Sequence, residues 1–351
     1  MEIKKKVLFF LYGDLGGAQR MTVNIGRLLP QDQYNVIFVV CCPKDDICKF
    51  ITSDYEVIRI PWHNIYCFAR LRMARVILRE NPDFVFSSQM SLNIRLLQIT
   101  SLLGVKCIVR NDNMLRHVST KMQKSIKKWY HKAYYVIAQQ EEMGEEMVSV
   151  LRLPNEKVKV CHNVIDTNFI DDKLKLSANP YQNNNKVRYL CLNRFHPTKA
   201  QDITVKAFVE VHKKNPDTEL FFVGHAKEDN PLVQEVKRII EQNHLQDSVH
   251  IIGYDSNPYK WCRYADCLVS TSRLEGLPNV LIEAQYLGTP AVATECIPMV
   301  VRIISNGLSG YTAPVDDIDA IADAMLKAPK LGRVKMTYKP SSKEDFINLF
   351  Q

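Results

Sequence analysis

The chain has 351 residues, 46% of them hydrophobic and 24% charged, with a net charge of +8. That length fits two domains of roughly 150 residues, and the balance is that of a soluble globular protein. The longest apolar run, Val36 to Cys42, is far short of the roughly 20 residues a membrane-spanning helix needs, and the positive charge favours an anionic partner without choosing among nucleotide, phospholipid and nucleic acid.

Lys4-Lys-Lys6 followed by Val7–Leu11 superficially resembles a secretion signal. The run is short, no small-residue cleavage site follows, and Gly13-Asp14 interrupts it, so it reads as a first buried strand. The next loop, Tyr12 to Gln19, opens a helix. Its adjacent Gly16 and Gly17 let backbone N–H groups approach an anion at a helix N-terminus, although a plain tight turn would also use them. It is neither a Gly-x-Gly-x-x-Gly fingerprint nor a Walker sequence, which removes support from dinucleotide redox chemistry and P-loop phosphotransfer.

Further strands are predicted at Val36–Cys41, Val57–Ile60, Phe84–Ser87, Lys106–Arg110, Tyr135–Ala138 and Val158–Cys161. Two basic helices fall among them. One carries Arg70, Arg72, Arg75 and Arg79. The other, His117 to Ala133, repeats Val118, Met122, Ile126, Trp129 and Ala133 at helical spacing, with Lys121, Lys124, Lys128 and Lys132 on an adjacent face. Such a helix can lie on an anionic membrane or pack on a core with its lysines in solvent.

Asp171 to Lys186 is polar and turn-rich and reads as a linker. The strand pattern then restarts at Val187–Leu192, Glu219–Val223, Val249–Ile252, Cys267–Ser270 and Ala291–Ala293. Continuous apolar strands separated by helix-length segments argue for parallel sheets covered on both faces, a doubly wound α/β architecture. The expected division is an N-terminal domain over 1–180, a C-terminal domain over 185–335, and a tail over 336–351 holding a short helix. The ten cysteines form no Cys-x-x-Cys pair, so no zinc or thioredoxin motif is visible. Cys41, Cys42, Cys107 and Cys191 fall in apparent strands, and a reducing cytoplasm is the expected compartment.

Ligands of such sheets bind beyond the C-terminal strand ends. There stands Asn193-Arg-Phe-His-Pro-Thr-Lys199, where Arg194 and Lys199 can neutralise a departing diphosphate without a metal. Downstream, Glu275 lies in the loop after Cys267–Ser270. Gly276, Leu277 and Pro278 lead into a helix over Asn279 to Leu287, with Pro278 in its first turn. Glu283 falls inside that helix among Val280, Leu281, Ile282 and Ala284, where a carboxylate needs a partner. The free N–H groups of the first turn favour a diphosphate. His225, Tyr254 and the segment near Met299 are candidates to line the base and sugar pockets.

These residues carry a resemblance. Gly16-Gly17, Asn193-Arg-Phe with Lys199, Val223-Gly-His225, and Glu275-Gly-Leu-Pro through Glu283-Ala to Gly288-Thr-Pro290 resemble a family-four glycosyltransferase over essentially the whole chain. The resemblance implies the GT-B fold, two Rossmann-like doubly wound parallel-sheet domains facing a cleft. It implies sugar transfer from a nucleotide-sugar (UDP- or GDP-sugar) donor with retention of configuration, no cofactor and no metal. It also implies that Arg194 and Lys199 contact the donor diphosphate, that Glu283 holds the ribose, and that Glu275 with the backbone at Gly276 and Leu277 contacts sugar and phosphate.

Three departures stand out. The glycine usual after the lysine is Ala200, a mild change in a loop. The histidine that the family places against the sugar has no counterpart in Val109-Arg-Asn-Asp-Asn113, where Arg110, Asn111 or Asp112 must serve or the role is absent, and Asp112 joins Glu275, Arg194 and Lys199 as a catalytic candidate. A proline-glycine loop beyond the second glutamate is altered to Cys296-Ile-Pro-Met-Val300. The expected activity is transfer to a glycan or lipid-diphosphate-linked acceptor in bacterial O-antigen or capsule synthesis, in the cytoplasm at the inner face of the membrane. Nucleic acid is not expected as a partner, since no binding module accompanies the charge. A nucleotide-sugar epimerase on a related fold and a non-catalytic nucleotide-sugar-binding protein are the competing readings.

Overall fold

A computed structural model of the chain describes residues 3–14, 16–41, 46–51, 53–60, 66–175, 177–182 and 185–351. Cys42, one of the strand cysteines expected above, lies outside them. The chain forms two compact units, residues 1–164 with 340–351, and residues 165–339.

The first unit alternates strands and helices: Lys5–Tyr12 (β1), Gly17–Leu28 (α1), Tyr34–Cys41 (β2), Glu56–Ile60 (β3), Tyr66–Glu80 (α2), Phe84–Ser87 (β4), Met90–Leu103 (α3), Lys106–Arg110 (β5), Thr120–Trp129 (α4), Tyr135–Ala138 (β6), Glu141–Leu151 (α5) and Val158–Val160 (β7). The strands pair in the order β3-β2-β1-β4-β5-β6-β7, all parallel. Alternation along β1 feeds two layers. Leu8 and Phe10 join the core with Ile37, Val39, Val85 and Val109. Phe9 points the other way, into a ring cluster with Phe38, Phe86 and Phe350.

The second unit follows the same plan: Thr167–Lys175 (α6), Val187–Leu192 (β8), Gln201–Lys214 (α7), Thr218–Val223 (β9), Pro231–Gln242 (α8), Val249–Gly253 (β10), Pro258–Tyr264 (α9), Cys267–Ser270 (β11), Asn279–Tyr286 (α10), Ala291–Thr294 (β12), Pro298–Ile303 (α11), Gly310–Ala313 (β13) and Ile318–Lys327 (α12). Its order is β10-β9-β8-β11-β12-β13, again all parallel. Separate buried clusters cover its two faces.

The structure differs from the sequence pattern in several places. The division falls at Val164, not near residues 180–185. The segment that reads as a linker begins inside α6; Ile170, just before it on that helix, and Tyr181 within it are both buried in the second core. Tyr181 also donates its hydroxyl to the Trp261 carbonyl at 2.8 Å. The tail over 336–351 is split. Thr337 and Tyr338 donate backbone N–H groups to Gln285 in the second unit. Residues 340–351 belong to the first, where Lys343–Ile347 (α13) carries a Ser342/Asp345 capping box and Phe346, Leu349 and Phe350 are buried. The edge strand β13, Gly-Tyr-Thr-Ala, has no continuous apolar run to mark it in the sequence. The helix expected over His117 to Ala133 contracts to α4 between two tight turns, starting at the Ser119 cap.

Candidate functional site

In each sheet the strand order reverses beside the first strand, between β1 and β4 and between β8 and β11. Connections leave such a pair in opposite directions and open a crevice at the C-terminal strand ends. In the second unit, the loops after β8 and β11 carry Arg194 with Lys199 and Glu275 with Gly276.

Buried side chains build these loops. Gln201, at the start of α7 and fully buried, donates to the Asn193 side chain and to the Arg194 carbonyl at 2.8 Å. Thr271 donates to the Ala200 carbonyl at 2.9 Å and meets the Thr204 hydroxyl at 2.7 Å. The Arg273 N–H reaches the Thr198 carbonyl at 2.8 Å. The two loops are therefore stitched together below the residues that face outward.

Lys199 Nζ lies 2.5 Å from Glu275 Oε1, and the same oxygen accepts the Ser272 hydroxyl at 2.7 Å. Arg194 is exposed, and its side chain has no hydrogen-bond or ion-pair partner among the described residues. One cation is thus held against a carboxylate and its neighbour is uncommitted. Partial burial, with Arg194 and Lys199 nearby, pulls the His196 imidazole below its ordinary pKa. Ala200, at φ 51°, is left-handed. The change from the family's glycine, mild as a letter, therefore falls where a Cβ is unfavourable.

Gly224 shows the opposite. At φ 150°, a Cβ there would stand 2.1 Å from the Asn193 carbonyl oxygen, so only glycine fits. Its N–H donates to the Gly253 carbonyl, and the Phe195 N–H donates to that of His225, which ties the ends of β8, β9 and β10 together. On this base the His225 and Tyr254 rings stack, with centroids 4.4 Å apart and planes at 10°. Tyr254 is 51% exposed and His225 is exposed as well, leaving an aromatic surface in solvent.

Pro278 is the cap of α10 rather than part of its first turn, since its ψ of 88° is not helical. Pro278 makes no side-chain cap, and no acidic residue occupies the first turn of the helix. Leu281 through Gln285 are buried, including Glu283 at 8% exposure. Met299, a candidate pocket residue, is instead fully buried in the core beneath α11. Cys296, which sequence reasoning did not single out as a site residue, lies near Glu275 and Lys199, and burial pushes its thiol up to about 12.

In the first unit, Gly16 caps α1 and Gly17 begins it, just past β1. Among the described residues, a Cβ on Gly17 would meet nothing within 4 Å, and the nearest atoms to one on Gly16 would be those of the flexible Gln19 side chain.

Asp112 follows β5 above a buried polar network. Asn93 donates to the Arg110 carbonyl and to the Tyr130 hydroxyl, and Tyr130 donates to Asn111. Arg110 is 1% exposed; its guanidinium donates to Asn163, while its Nε has no hydrogen-bond partner among the described residues. Burial pushes the Asp112 carboxyl up to about 6, opposed by its own N–H and by Arg110. Burial likewise lowers Arg110 to about 10. Of the three residues left open in this stretch, Arg110 and Asn111 are buried in the network, and Asp112 is half-buried.

The model of the glycosyl transferases group 1 family matches residues 172–343, and that of glycosyltransferase family 4 matches residues 15–169. The chain is a family-four glycosyltransferase. An uncharacterised glycosyltransferase of Methanocaldococcus jannaschii is 27% identical over 64% of this chain and 58% of its own length. The UDP-Gal:α-D-GlcNAc-diphosphoundecaprenol α-1,3-galactosyltransferase of Escherichia coli is 22% identical over 89% of the chain and 84% of its own length. Anabaena HepE, solved with UDP and glucose, aligns with 99% of this glycosyltransferase and 94% of its own chain at a TM-score of 0.77 and 16% identity. The fold is GT-B.

Proposed function

We propose that this glycosyltransferase moves a hexose or N-acetylhexosamine from a UDP- or GDP-sugar to a lipid-diphosphate-linked glycan, with retention of configuration and without a metal. The observation that carries the proposal is the Lys199–Glu275 pair beside the uncommitted Arg194 at the β8/β11 switch point. A donor diphosphate brings two negative charges to Arg194 and competes with Glu275 for Lys199. Glu275 is then released toward the sugar, and the start of α10, where Pro278 supplies no side-chain acceptor, adds N–H groups and a positive dipole end. The charge that develops on the leaving diphosphate meets cations already fixed in place, and preorganisation of this kind supplies much of the rate enhancement of many enzymes.

In this reading the His225/Tyr254 surface takes the base, Glu283 the ribose hydroxyls, and Gly276, Leu277 and Pro278 the sugar and phosphate. Gly16 and Gly17 are assigned to the donor as well. Asp112 takes the place of the family histidine. UDP and glucose in HepE and the undecaprenol-linked acceptor of the E. coli relative support the substrate classes, and the proposal extends to a role in O-antigen or capsule synthesis.

Peripheral attachment to the inner face of the cytoplasmic membrane is part of the proposal. Among the described residues no helix is long and apolar enough to cross a bilayer. Along α2, Leu71 and Leu78 are exposed between Arg70, Arg75 and Arg79, which suits an anionic surface. On α4 the lysines are exposed, but Trp129 packs on the core, so that helix contributes charge alone.

The test is a panel of UDP-, GDP- and ADP-sugars with undecaprenyl-diphosphate-linked acceptors, in EDTA. Transfer with the anomeric configuration retained is expected from one donor. Donor turnover without acceptor would favour an epimerase, and binding without turnover a non-catalytic protein. Dependence on a divalent cation would remove the metal-free mechanism.

A further inference from the structure

Arg273 sits two residues before Glu275, and its side chain holds three other segments. Nε donates to both oxygens of Asp316, at 2.8 and 3.0 Å. Nη1 donates to the Pro197 carbonyl at 3.1 Å, and Nη2 reaches Asp202 at 3.4 Å. Its backbone N–H holds the Thr198 carbonyl. One residue therefore clasps the loop of Lys199 to the loop of Glu275 and anchors both to the turn after β13.

The anchor occupies a left-handed turn. Asp316 has φ 62°, which glycine takes without steric cost and aspartate tolerates better than most residues. Its ion pair is 35% and 47% exposed on the two sides, and such pairs add little stability. The other strained non-glycine beside these loops is Ala200, directly after Lys199. Strain kept without a stabilising return points to a role in the site.

We propose that Arg273 is a positioning residue, with Asp316 as its anchor, that presents Lys199 at the right separation from Glu275 for the donor diphosphate. This deepens the donor reading above and rests on it. The planar fork is essential, because a lysine at 273 satisfies one partner where arginine satisfies three.

Asp316→Gly tests the idea without endangering the fold, since glycine suits the left-handed turn. The unaltered protein, Asp316→Gly and Arg273→Lys are titrated calorimetrically with UDP, GDP and inorganic pyrophosphate, and their melting temperatures are recorded. Both variants should bind the preferred nucleotide about tenfold more weakly, a usual coupling between contacting groups. Asp316→Gly should melt within about 2 °C of the unaltered protein, because relief of the left-handed angle offsets the freer unfolded chain and the lost exposed ion pair. In a Lys199→Ala background, Asp316→Gly should change affinity less than about twofold, because the residue it serves is gone. Equal affinity of Asp316→Gly and the unaltered protein overturns the proposal, as does a weakening of full size that persists without Lys199. If the unaltered protein binds none of the three probes, the donor reading fails and this one with it.

Discussion

Replacing Lys199 by alanine separates what the Lys199–Glu275 pair does for the fold from what it does for the donor. The two side chains are 24% and 11% exposed, so the pair is only partly desolvated. Glu275 keeps its bond from Ser272 after the change and stays near solvent. The stability loss should be about 1–2 kcal/mol, a charge-assisted hydrogen bond reduced by solvent screening of the partly exposed pair. In a protein of this size that lowers the melting temperature by roughly 2–8 °C. Catalysis should suffer more. Losing one preorganised group that faces developing charge costs about 10²–10³ in kcat. Initial rates with the preferred donor, set beside melting by calorimetry, give both numbers. Lys199→Arg should restore the melting temperature but not the full rate, since a fork in place of a compact ammonium changes where the charge lies. A Lys199→Ala enzyme working within twofold of the unaltered rate would refute the assignment of Lys199 to the diphosphate.

The Asp112 carboxyl, pushed up to about 6 from an ordinary 3.8, is protonated more readily in the folded chain than in the unfolded one. Folding stability through this group therefore falls as pH rises between about 4 and 6. Asp112→Asn should thus melt higher than the unaltered protein at pH 7.5, with the gap closing toward pH 4, and an apparent pKa near 6 in kcat/KM should vanish with it; a gap independent of pH would be the contrary result. Phe350 is fully buried against Phe9, Phe84 and Phe86 at 5.7–6.1 Å. Phe350→Ala should cost about 3–5 kcal/mol, or roughly 6–20 °C in the melting of the first unit, and a fall below about 2 °C would show that the segment is not part of that core. Ala200→Gly should melt within about 2 °C of the unaltered protein, because relief of the left-handed strain offsets the added freedom of the unfolded chain. Ala200→Val, which adds a branched side chain at φ 51° in a fully buried position, should fold poorly, and normal expression and melting of that variant would contradict the backbone assignment.

The parts of this glycosyltransferase that the sequence makes legible are those whose cause is local. Five strands, among them Phe84–Ser87 and Val187–Leu192, coincide with the predicted ranges because apolar runs between helix-length segments have one good solution in a covered parallel sheet. The cation loop and the glutamate loop are legible for a related reason: each follows a recognisable strand. The rest depends on residues far apart in the chain. Phe350 enters the core of β1 from the other end of the chain, and no periodicity announces it. Tyr181 looks like a solitary aromatic in a polar stretch until the Trp261 carbonyl receives its hydroxyl. Arg273 reads as one more surface cation in a chain with many. Its importance comes from Asp202 and Asp316, neither of which carries a local motif. The backbone angles close the same gap. Ala200 and Asp316 look like ordinary loop residues as letters, yet both are left-handed and both adjoin the loops that hold Lys199 and Glu275. A chain that keeps Cβ atoms at two such turns, and a glycine at Gly224 where none could fit, has its geometry set by what these loops must hold apart as much as by what they bury.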